Sequence, residues 1–165
     1  MITKDDLQTI YEWGKVTTFP LKKVPTAIGY SNKDIYISWL KGAGKRIMIR
    51  RKLMTDKVIK IFENEDIIYS TYSIFHAGTI LTPHKDPDVY PQKYKRIQLP
   101  LKIPNPKDCY MEWINVKDGK MLWEEGVPQV CDVMNNLHEA FNKSNKPMEI
   151  LFVDVKLDTE VVINR

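Results

Sequence analysis

Cysteine, glycine and histidine are scarce in this chain, and no long apolar run interrupts it. Its only two cysteines, Cys109 and Cys131, stand far apart with no Cys-x-x-Cys pair. That spacing excludes a disulfide framework and a zinc finger, and two buried free thiols are expected instead. No stretch reaches the ~20 apolar residues that span a bilayer. The N-terminal MITKDDLQTIYEWGK carries acidic residues where a secretory leader needs a basic and then an apolar segment. A cytoplasmic protein with no membrane partner is therefore expected. Apolar residues at 43% and charged residues at 28% exclude a disordered chain, and no repeat is present. A length of 165 residues fits one domain with a sizeable core.

The net charge of +4 is too small to imply a polyanionic partner by itself. Its distribution is uneven. Segment 41–60 holds eight basic residues against Asp56 alone. With Tyr36 and Trp39 nearby, it could form a nucleic-acid surface whose binding weakens steeply with salt. The solvated face of a helix is the favoured reading.

Thr3 and Asp6 have the spacing of a capping box; Leu7, Ile10 and Tyr11 then share a helical face, and Gly14 is expected to end the run. A second helix is expected near 52–63, capped by Thr55 or Asp56, with Met54, Val58, Ile61 and Phe62 at helical spacing. Beyond it the pattern changes to short β-type runs: 66–75, 80–82, 95–103, 110–114, 120–123, 127–133 and 149–155. The gaps between them are too short for crossover helices, so the strands must be mainly antiparallel. The expected fold is mainly β, a jelly roll or double-stranded β-helix of the cupin-like kind. Residues 66–156 would form its core, and 1–65 a helical and extended support.

Two of the three histidines sit in patterns suited to metal. His84-Lys85-Asp86 places an imidazole and a carboxylate two positions apart at a strand end, and His138 can supply a third donor. Two histidines and one carboxylate on one octahedral face leave three positions open, the arrangement of non-haem Fe(II) oxygenases.

The stretch from Ser73 through His76, Gly78, Thr79 and Pro83 to His84 resembles the aspartyl/asparaginyl β-hydroxylase family. Further matches follow in order: Arg96-Ile-Gln98-Leu-Pro-Leu, the Trp123-Glu124-Glu125-Gly126 turn, His138-Glu139 and the closing strand from Ile150 to Val155. The likeness spans about residues 66–156. It implies a hydroxylase that uses Fe(II), 2-oxoglutarate and O2 on an amino acid, peptide side chain or other small molecule. His84 and His138 carry over as ligands; Asp86 stands where animal members have glycine. The compact form resembles microbial or phage members. Ser73, Arg96 and Gln98 match positions near the cosubstrate, and His76 is expected beside the ligands or in packing. Trp113 and Trp123 could line a substrate cleft, and the loop that holds Tyr90 could cover it.

One departure bears on the cosubstrate. The family's carboxylate-binding arginine, ten residues after the second histidine, is here Met148. Arg96 is the leading replacement and Lys146 another. A metal-binding cupin-like barrel that does not turn over 2-oxoglutarate remains the alternative.

Overall fold

A computed structural model describes residues 1–24, 29–42, 50–87 and 93–163. Two antiparallel sheets face each other, as expected for a double-stranded β-helix. The larger contains β2 (Lys22–Val24), β3 (Ile35–Lys41), β4 (Ile67–Phe75), β6 (Tyr94–Lys102), β9 (Gln129–Cys131) and β11 (Met148–Lys156), in the order β2-β3-β4-β11-β6-β9. The smaller runs β5-β10-β7-β8, with β5 at Ile80–His84, β7 at Cys109–Trp113, β8 at Lys120–Leu122 and β10 at His138–Asn142. A short parallel pair, β1 (Ile2–Thr3) with β12 (Val161–Val162), ties the two ends of the chain together.

The expected strands after residue 66 all form. The larger sheet also reaches back into the first 65 residues, because β3 pairs with β4 along its length. The helices likewise form, with adjusted ends. Helix α1 spans Lys4–Val16 and carries the Thr3/Asp6 capping box, with reciprocal bonds of 3.1 and 2.8 Å. It does not stop at Gly14. A Cβ there would lie 3.1 Å from Leu101 Cδ1, so this glycine lets the helix approach β6 closely. Helix α2 spans Asp56–Phe62, capped by the Thr55 hydroxyl.

Period-two alternation divides the strands of the larger sheet between two cores. On β6, Ile97, Leu99 and Leu101 face outward against Leu7, Ile10, Trp13, Val58 and Phe62 of the helices. Leu151, Val153 and Val155 of β11 join them. The opposite residues face the smaller sheet, where Phe75, Met111, Trp123, Met148, Ile150 and Phe152 form a second cluster. Lys41, the first residue of the basic segment, is buried, and its ammonium donates to the carbonyls of Phe62 and Asn64 at 2.5 and 3.2 Å. It thereby closes the C-terminal end of α2, where the helix dipole favours a cation. Residues 43–49 of the basic segment lie outside the described residues.

Candidate metal centre

The smaller sheet brings the two candidate histidines side by side. His84 ends β5, His138 begins β10, and the two are paired across the ladder. Asp86 lies two residues beyond His84, and its backbone amide donates to Val133 O at 2.9 Å. Nitrogens of both imidazoles and an oxygen of Asp86 lie within 4.8 Å of one another. His138 Nε2 is 3.1 Å and His84 Nε2 is 3.4 Å from the same oxygen, Asp86 Oδ1.

The opposite ring nitrogens fix the tautomers. His84 Nδ1 lies 2.6 Å from Thr82 O, and His138 Nδ1 lies 2.8 Å from Asn136 O. A carbonyl can only accept, so each Nδ1 carries a hydrogen and each ring presents its Nε2 to Asp86. Without an ion Nε2 can donate to that oxygen; a cation between the three groups would instead take the two Nε2 lone pairs and the oxygen as its donors. The spacing suits such a cation, since cis donors about 2.1 Å from an ion lie about 3 Å apart. Tyr30 stacks on His84 with ring centroids 4.1 Å apart, and Trp113 meets His138 edge-on.

Arg96 is held between two carboxylates. Its Nε and Nη2 donate to Asp154 Oδ1 and Oδ2 at 2.7 and 2.9 Å, and Nη1 donates to Asp86 Oδ2 at 2.8 Å. The two carboxylates raise its pKa well above normal although burial opposes this, so the guanidinium stays charged. Burial pushes the Asp86 carboxyl up, but hydrogen bonds from His138 and His84 and the Arg96 charge outweigh it. Asp86 is held well below the usual carboxylate range.

Beside this cluster lies a cavity of about 260 Å³ between the sheets. Asp86, His84 and Arg96 sit at its more accessible part, whereas Thr71, Ser73, Gln98 and Met148 are 1–6% exposed. Of the family's cosubstrate positions, Ser73 lines the cavity. Gln98 lines it too, but accepts from Trp123 Nε1 at 2.8 Å and contacts Met111 Sδ. Met148 packs against Phe75 and Ile150 in the inner core. Lys146 is exposed on a turn and Trp113 half-buried; neither lines the cavity. His76 is an exposed residue edge-on to Tyr36, with no place at the ligands. Tyr90 falls outside the described residues.

Sequence reasoning missed two contributors, Tyr30 and Asp154. Asp154 had a readable signal: an acid in register with the apolar positions of a core strand must find a buried cation.

A model of the aspartyl/asparaginyl beta-hydroxylase family matches residues 33–157. The chain belongs to this family. The match starts well before residue 66 and takes in β3, whose pairing with β4 is described above. Among solved structures, this hydroxylase-family chain is similar to an oxidoreductase of the 2OG-Fe(II) oxygenase family from Burkholderia pseudomallei. The TM-score is 0.55 at 13% identity, over 92% of this chain and 76% of that one. It is also similar to a predicted oxalate decarboxylase from Thermotoga maritima, with TM-score 0.53 and 12% identity over 84% and 94%. A cupin-like protein of the same organism gives 0.54 and 6% over 86% and 81%. At such identities the likeness is one of fold. No curated protein sequence matches the chain. Among the described residues, no helix is long and apolar enough to cross a membrane.

Proposed function

We propose that this chain is a non-haem Fe(II) oxygenase that hydroxylates an amino acid or peptide side chain, with His84, Asp86 and His138 as its metal ligands. The observation that carries this reading is the pair of imidazoles, each held at Nδ1 by a backbone carbonyl, presenting Nε2 to Asp86 Oδ1 beside a cavity. The donor set fits the metal. Bound there, Fe(II) supplies the activation of O2 that an unactivated C–H bond requires.

The chain's own residues prepare the site. Thr82 O and Asn136 O hold the rings in the ligating tautomer, as outer partners of metal-bound histidines do. Arg96 occupies Asp86 Oδ2, so Asp86 would offer a bound metal its Oδ1. Asp154 fixes Arg96 in turn. Tyr30 covers one face of His84.

A 2-oxo acid is the cosubstrate this reading calls for, and the family implies 2-oxoglutarate. The second carboxylate of 2-oxoglutarate does not fit the described cavity lining, where the sole cationic side chain, Arg96, already serves Asp86 and Asp154. That same pairing favours the second reading, a cupin-like metal barrel without 2-oxo acid turnover. Anaerobic titration separates them. The expected result is one Fe(II) per chain and a visible charge-transfer band on adding a 2-oxo acid, both lost in His138→Ala. Stoichiometric iron in that variant would overturn the ligand assignment. Iron without the band for any 2-oxo acid would select the second reading.

A further inference from the structure

We infer that the cavity beside the metal site takes the uncharged tail of a monoanionic ligand, so that the cosubstrate is a 2-oxo monocarboxylate with an aliphatic tail rather than a dicarboxylate. The inference rests on the iron-oxygenase reading above and adds a statement about charge.

The head of the ligand comes first. A divalent ion bound by two neutral histidines and one ionised aspartate keeps one net positive charge. A single carboxylate neutralises it. Arg96 adds nothing to this balance, because its one positive charge already faces Asp86 and Asp154 at 2.7–2.9 Å.

The tail enters a different environment, and the strand register shows it rung by rung. Asp154 pairs with Arg96 on β6, with Tyr69 one strand over on β4. One rung further along the sheet lie Phe152, Gln98 and Thr71, then Ile150 and Ser73, then Met148 and Phe75. On β3, Trp39 and Ile37 stand opposite Thr71 and Ser73. Each rung advances about 6.8 Å along the strand. Polarity therefore falls away from the ionic rung to hydroxyls and then to thioether and phenyl groups. Among the described residues lining this space, the polar side chains beyond the ionic rung are neutral, and Gln98 is already bonded to Trp123.

A second carboxylate in this space would lose its hydration and gain at most neutral hydroxyl donors. Burying an ion without a counter-charge costs far more than such bonds return. An aliphatic tail carries no such cost and gains by burial, roughly 0.8 kcal/mol per CH2. The volume of about 260 Å³ lies below the range typical of drug-sized ligand sites and suits a small metabolite.

The test is calorimetric titration of the Mn(II)-loaded, full-length protein with three 2-oxo acids of matched length. These are 2-oxoglutarate, its neutral amide 2-oxoglutaramate, and 5-methyl-2-oxohexanoate, in which an isopropyl group replaces the second carboxylate. The expected result is at least about tenfold tighter binding of 5-methyl-2-oxohexanoate than of 2-oxoglutarate, with 2-oxoglutaramate between them. A preference below threefold, or a preference for 2-oxoglutarate, overturns the inference and leaves the oxygenase reading standing. Binding of Mn(II) with no binding of any of the three acids overturns the oxygenase reading instead. Met148→Arg supplies a cation at the apolar end, and in that variant 2-oxoglutarate should gain at least tenfold. The wild-type comparison stands without it should the variant fold poorly.

Discussion

The two faces of the six-stranded sheet are built from the same strands yet do opposite work. The outward face packs solidly against α1 and α2, and it buries Leu99, Leu151, Val153 and Val155 with no exposure. The inward face, one residue out of step, keeps Arg96, Asp154, Gln98, the hydroxyls of Thr71 and Ser73 and an open cavity. Adjacent positions such as Gln98 and Leu99 thus belong to different physical problems. The solid face provides the stability that lets the other face hold polar groups and empty space, neither of which stabilises a fold.

Leu99→Ala offers the largest expected effect. Truncating a fully buried leucine at the helix face should lower unfolding free energy by about 2–5 kcal/mol. Metal stoichiometry of the folded protein should stay at that of the parent. Denaturant unfolding and metal analysis of the same sample check both, and loss of metal from the folded variant would break the division between faces.

On the inward face the expected effect has the other character. Asp154→Asn removes the buried charge that anchors Arg96, which frees Arg96 to pull on Asp86. Metal affinity should fall by roughly 10-fold or more, the usual cost of losing an outer partner of a ligand. Competition with a metal chelator measures it. Unchanged affinity would show that Arg96 and Asp154 do not position Asp86.

Tyr72 gives the smallest and most specific prediction. Its phenol faces outward, where its OH donates to Glu149, and burial above all raises its pKa above the ordinary value of 10.0, with Glu149 adding to the shift. The unfolded chain can release this proton near pH 10 while the folded chain holds it, so stability falls as pH rises through that range. Tyr72→Phe should flatten the decline between about pH 9 and 11 and change stability near neutrality by about 1 kcal/mol or less. Thermal unfolding across that pH range reads it; an unaltered alkaline slope would place its cause elsewhere.

Legibility in the sequence follows the same division. The faces of β6 were readable because alternation alone assigns Ile97, Leu99 and Leu101 to one side and Arg96 and Gln98 to the other, which the structure matches. His84 and Asp86 were readable because two positions at a strand end are close whatever the fold does. The partner of Arg96 was not: Asp154 lies 58 residues away, and only the pairing of β6 with β11 brings it near. Helix α1 outran its expected end for a similar reason. Gly14 carries a local stop signal, but contact with Leu101 on a distant strand decides its role.

The pairing of His84 with His138 has a consequence for motion. β5 is the edge strand of the smaller sheet and largely exposed, whereas β10 is held between β5 and β7. An ion ligated from both strands acts as a rivet across their ladder. Fraying of the edge must then release the ion, so the amides of β5 should exchange with solvent at a rate set by free metal concentration while those of β10 and β7 hold.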